Sequence, residues 1–265
     1  MDTGGDESRA GDCVRASECG KLNLSGDNVE LSGGSAVDRA RTHEEHLVDE
    51  LLVLALLEAM GRSAPWHEVM KVMKAAFHAG WRLCRRGMKG LSLAFYTWRH
   101  GPLSKDLYRV LDSLVEAGLA KKRIVLSRSL FSGRWRAPAY AISTKGSQVL
   151  QGCQELLAEG ANAEIVRDVI AAAEHVGPMD PIEARDESHR MQVPDCSRAG
   201  DLVAIGELAK GTDLITLADL DEAPVCFSVT EDWFETLEMM LSPDYEPGGM
   251  RRASQKSYEE LFAGM

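Results

Sequence analysis

An α+β fold, mainly α, is predicted for this chain, and three observations carry that prediction. Apolar residues recur at helical spacing through 47–57, 66–77 and 107–114. Two strand-like runs, 123–128 and 137–143, flank a segment that holds Gly133, the pattern of a β-hairpin. Charge is segregated as well: residues 61–150 carry 17 Lys and Arg against 4 Asp and Glu, in a chain whose net charge is −11. A basic block inside an acidic protein marks a face for a polyanion.

The elements follow in order. Thr42 and Glu45 have capping-box spacing, in which a hydroxyl and a carboxylate satisfy each other's backbone N–H groups. Behind them Leu47, Leu51, Leu54 and Leu57 are spaced for one buried helical stripe, ended by Gly61. A second helix is expected from Ser63, with Pro65 in its first turn and Trp66, Val69, Met70, Met73 and Phe77 facing inward. Apolar and aromatic residues 91–98 run into a Gly101-Pro102 turn. Ser104 then caps a helix that buries Leu107, Val110, Leu111 and Leu114, and Gly118 ends it.

The hairpin comes next, with Pro138 pointing to an edge position because it cannot donate to a ladder. Helices over 147–157 and 163–176 complete a domain spanning 42–177. Before it, residues 1–41 hold many Gly, Ser and Asp and no aromatic residue, and are expected to be disordered. After it, 178–222 carries 11 acidic and 4 basic residues with three prolines, and is expected to be an acidic linker. Residues 223–265 form an acidic helical tail, in which Thr230 caps a helix over 231–241. A last short helix is expected around 254–262.

Helix, tight turn, Ser-capped helix and basic hairpin is the element order of a winged helix-turn-helix. A major groove about 12 Å wide admits one helix whose N-terminal half reaches base edges. Ser104, Lys105, Tyr108 and Arg109 are the residues expected there. Arg128, Arg134 and Arg136 on the hairpin would neutralise phosphates, each adding affinity that falls with salt. Asp112 and Glu116 dilute the positive face of the same helix, and modules of this kind also serve in protein contacts.

Other function classes find little in the sequence. There is no Gly-x-Ser-x-Gly, P-loop or His-Glu-x-x-His, and the seven histidines are scattered, so no enzyme activity is expected. The six cysteines form no Cys-x-x-Cys pair, so neither a metal nor another cofactor is expected. No membrane span or signal peptide is read, and a cytoplasmic location is expected.

The string Lys-Val-Met-Lys-Ala-Ala-Phe ending at Phe77, and the later stretch from Phe95 through Gly101, Pro102 and Leu107 to Tyr108, resemble the Panacea (SocA-like) antitoxin domain. The resemblance covers roughly residues 45–176. His100 stands where that family usually has Tyr or Phe, and methionines replace leucines in the first string. The resemblance implies neutralisation of a protein toxin, sometimes with autoregulation.

The tail resembles the toxin-binding end of Phd/YefM-type antitoxins, where a strand leads into an acidic helix and a proline break. Trp233, Phe234, Leu237, Met240 and Leu241 are the apolar anchors expected to enter a partner's groove. Glu231, Asp232, Glu235 and Glu238 suit a basic partner. The expected function is therefore an antitoxin that binds a basic toxin and duplex DNA, with a homodimer left open. The alternatives are a winged-helix regulator without a toxin, or a protein-interaction adaptor.

Overall fold

The computed structural model describes residues 40–129, 133–194 and 202–247, which form an α+β, mainly helical fold. Helix α1 (His43–Gly61) opens on the expected capping box, with Thr42 N–H donating to the Glu45 carboxylate at 2.8 Å. It departs from the expected single stripe: every residue from Leu47 to Met60 is buried except Glu58 and the half-buried Glu50.

The helix expected from Ser63 begins only at Val69. His67–Glu68 form a short strand, β1, and α2 (Val69–Arg85) follows. Strand pairing takes these two residues, because His67 lies opposite Tyr140 and Glu68 opposite Ala139.

Strands β2 (Met88–Lys89), β3 (Phe95–Trp98) and β4 (Gly101–Leu103) lie between α2 and α3 (Lys105–Glu116). Gly101 turns β3 into β4 with φ +85°, and a Cβ there would sit 2.9 Å from the His189 ring and 3.1 Å from Lys74 Nζ. Both conformation and space demand glycine. Ser104 caps α3 as its sequence predicts, accepting the Leu107 N–H at 3.3 Å, and the four expected residues of α3 are buried.

Strands β5 (Ala120–Ser129) and β6 (Gly133–Ile142) pair antiparallel in unbroken register, and β1 joins the far side of β6 to give the order β1-β6-β5. Pro138, expected at an edge, belongs to this central strand. The two-residue β1 reaches only Ala139 and Tyr140, so at Pro138 β6 has a strand partner on one side only, opposite Ile124. Helices α4 (Thr144–Gly152), α5 (Gln154–Ala158) and α6 (Gly160–Val176) follow.

The segment expected as a linker instead folds back on the domain. It forms α7 (Pro181–Arg190), β7 (Gln192–Pro194), β8 (Leu202–Ala204), a 3-10 turn (Ile205–Glu207), β9 (Asp213–Ile215) and α8 (Leu217–Asp221). Asp180 and Glu183 form a capping box, and Pro181 occupies the first turn, where its missing N–H costs nothing. Ala184, Val193, Ile205, Ile215 and Leu220 are buried, and β9 pairs with β3.

Strand β10 (Val225–Cys226) runs parallel to β2, and α9 (Glu231–Leu241) is capped by Thr230 as expected. Helices α2, α3, α4, α6 and α9, with β6, all contact α1. The helix expected around 254–262 and nearly all of 1–41 lie outside the described residues. No helix among the described residues is long and apolar enough to cross a membrane.

The lysines of the Lys-Val-Met-Lys string act as internal clamps. Lys74 Nζ donates to the Pro102 carbonyl at 2.7 Å and Lys71 Nζ to that of Gly177 at 2.6 Å. Lys74 is buried, and that burial, with Arg185 adding repulsion, holds its pKa down to about 7. The unfolded chain keeps this proton up to the ordinary lysine range, so stability attributable to Lys74 rises with pH from about 7 to about 10. Lys74→Met is expected to flatten that rise by up to about 1.4 kcal/mol per pH unit. Urea-unfolding midpoints of both proteins between pH 7 and pH 10 measure it, and equal slopes would assign the dependence to another group.

Candidate nucleic-acid interface

Within the fold, much of the basic block is neutralised by acidic residues from the rest of the chain. Arg62 pairs with Glu174 at 2.6 Å, Arg82 with Asp168 at 3.2 Å, and Arg86 with Asp168 and Glu164. Lys89 bridges Glu45 at 2.6 Å and Asp221 at 2.8 Å. Lys122 pairs with Asp112 at 2.8 Å. Lys71, Lys74 and Lys145 donate to backbone carbonyls instead. Among the described side chains, Arg85, Arg99, Lys105, Lys121, Arg123 and Arg136 are the cations of the block with neither a carboxylate nor a carbonyl partner. Half of these are on the β5–β6 hairpin.

The expected reading positions on α3 divide. Ser104 is 0% exposed, and its hydroxyl accepts the Leu107 N–H at the cap. Lys105 is half-buried, with its ammonium 6.0 Å from the Tyr96 ring centroid. Tyr108 is 37% exposed, and burial raises the pKa of its phenol. Arg109 projects with its side chain 74% exposed, but it donates to Asp106 at 2.9 Å. Counting Asp106, Asp112 and Glu116, α3 bears three carboxylates against Lys105 and Arg109.

The hairpin is different. Lys121, Lys122, Arg123 and Arg136 are exposed, and Arg123 lies over the Trp66 ring at 4.1 Å. Backbone register sets Arg128 opposite Arg134 and Leu126 opposite Arg136. Lys121, Lys122 and Arg123 are absent from the expected site. The signal was legible, because residues 121–126 lack the alternation of a half-buried strand and begin with three consecutive cations.

The tail anchors are already engaged. Leu237, Met240 and Leu241 are buried in this chain's own core, and Trp233 and Phe234 pack half-buried against it. His43 of α1 bonds Glu238 at 2.6 Å and meets the Phe234 ring edge-on at 5.6 Å. Lys145 fastens the end of the helix, donating to the carbonyls of Ser242 at 3.2 Å and Pro243 at 3.1 Å. Met240 lies against Gly152, whose missing Cβ makes the space. In this arrangement the five anchors serve the fold, and a partner's groove receives them only if α9 leaves α1.

Between α1, α3 and α9 lies a cleft of about 780 Å³ with His43, His46, Glu50, Arg109, Glu235 and Glu238 among its lining residues. Burial pushes the Glu50 carboxyl up, partly offset by the bond it accepts from the Ser113 hydroxyl. Arg109 lines this cleft together with Glu235 and Glu238 of α9. No group of three or more metal-ligating side chains converges among the described residues.

If α9 is core, Leu237→Ala destabilises the isolated protein by about 2–5 kcal/mol. Chemical denaturation of the two proteins measures this. A change under about 0.5 kcal/mol, the size of an ordinary surface substitution, would mean that α9 is not held on α1. Compared with known protein families and with curated proteins, the chain matches none.

Proposed function

We propose that this chain is an antitoxin-type regulator, whose winged helix binds duplex DNA through the β5–β6 hairpin and whose cognate partner is a basic protein toxin. The observation that carries the DNA part is the location of the unneutralised cations. Lys121, Arg123 and Arg136 stay exposed on the hairpin, while other cations of the basic block are paired internally. The elements α1, β1, α2, α3, β5 and β6 follow in that order, with β2, β3 and β4 between α2 and α3, and this order with the sheet order β1-β6-β5 supports the winged-helix reading. The Panacea-like strings support the antitoxin reading, and the clamp from Lys74 to Pro102 gives both strings a common structural purpose.

In this reading the hairpin supplies phosphate contacts, and α3 contributes Lys105, Tyr108 and Arg109 beside a groove. Arg109 exchanges Asp106 for a base or phosphate. Affinity then comes mainly from counterion release, with sequence preference from few residues. The docked α9 favours a second reading, a regulator without a toxin whose C-terminal part is structural.

Fluorescence anisotropy of the full chain on a labelled duplex tests the first part. Log affinity is expected to fall linearly with log salt. Alanine at Arg128, Arg134 and Arg136 is expected to reduce the slope by about 0.9 for each phosphate no longer neutralised. A flat salt dependence would sink the DNA reading. For the toxin, the neighbouring reading frame is expressed alone and with this chain. Growth arrest relieved by the chain supports the antitoxin reading, and a harmless neighbour with no complex leaves the regulator.

A further inference from the structure

Strand β5 is the outer strand of its sheet, and its ten residues pair with β6 without a register shift. Among the described residues no strand covers its other side, which therefore offers a row of backbone N–H and C=O groups. Natural edges are usually protected by shortness, proline, bulges or charge. β5 has no proline and no bulge; Lys121, Lys122, Arg123 and Arg128 put charge on it, but between Arg123 and Arg128 two large apolar side chains stand in solvent: Ile124 is 60% exposed and Leu126 65%.

The two faces of the strand differ. Successive side chains alternate, so Ile124 and Leu126 share one face with Lys122, which already meets Asp112, and Lys121 and Arg123 share the other with Val125. Lys121 and Arg123 have no carboxylate partner among the described residues. A strand added at this edge would match the pattern if its own residues alternated, apolar beside Ile124 and Leu126 and acidic beside Lys121 and Arg123. We propose that the β5 edge is a docking site for an extended protein segment of alternating acidic and apolar residues, which pairs with it as a fourth strand.

Two other occupants fit less well. A second copy paired through β5 would bring its own Lys121, Lys122 and Arg123 to a cationic edge, and like charges opposite each other destabilise a strand pair. A nucleic acid would use the cations but leave Ile124 and Leu126 facing phosphates. This inference does not depend on the DNA reading above.

The probes are a fluorescein-labelled Glu/Val alternating octapeptide and its Lys/Val counterpart, titrated into the full-length protein. The Glu/Val peptide is expected to bind at least tenfold more tightly than the Lys/Val peptide and to slow hydrogen exchange of β5 amides. Ile124→Thr with Leu126→Thr keeps strand propensity and is expected to weaken peptide binding at least tenfold. The salt dependence of duplex binding should stay unchanged in that variant, which separates the two surfaces. Equal binding of both peptides, or binding without protection of β5, overturns the proposal. So does protection of β5 in the free protein by a sedimenting dimer, or protection by a duplex but not by the Glu/Val peptide.

Discussion

The rest of the structure depends on the need to cover α1 on all sides. Between Leu47 and Met60 only Glu58 is exposed and Glu50 half-buried, so one neighbouring layer cannot cover the helix. Here α2, α3 and β6 cover part of it, and α4, α6 and α9 close the remainder. The last of these comes from nearly two hundred residues further along the chain. The acidic C-terminal elements are therefore bound into the same core as the basic hairpin, and their joint packing places α9 beside α3.

That constraint also arranges the charges. Closing the core brings α6 against α2, where Asp168 and Glu164 meet Arg82 and Arg86, and brings α8 toward β2, where Asp221 meets Lys89. The exposed one of these pairs, Arg86–Glu164, contributes little, about 0–1 kcal/mol. The larger effect of the pairs is on recognition, because a cation already facing a carboxylate is a weaker phosphate ligand. On the hairpin Lys121, Arg123 and Arg136 meet no carboxylate among the described residues, while Lys122 meets Asp112. The hairpin thus keeps half of the unpaired described cations of the basic block, the others being Arg85, Arg99 and Lys105.

The clamp formed by Lys74 shows the same logic at smaller scale. Its ammonium is buried with a carbonyl partner rather than a carboxylate, a costly arrangement that burial reports as a lowered pKa. It ties α2 to the turn that launches α3, beside Gly101, where His189 of α7 closes the contact. The position of α3 is therefore set jointly by α2 and by a segment whose composition resembles a linker.

What the sequence determined by itself is local chemistry. Thr42, Ser104 and Thr230 cap helices because a hydroxyl at that position satisfies nearby N–H groups whatever the surroundings. The buried face of α3, the stop at Gly118 and the existence of the hairpin were legible for the same reason. Tertiary structure decided what is long-range: that β1 replaces the start of α2, that the described parts of 178–222 pack onto the domain, and that α9 packs on α1 with Leu237, Met240 and Leu241 in the core and Trp233 and Phe234 against it. An amphipathic helix has the same pattern whether its apolar face meets a partner or its own core, and a charge run does not name the carboxylates that will neutralise it. Those choices depend on which surfaces remain uncovered once α1 is enclosed.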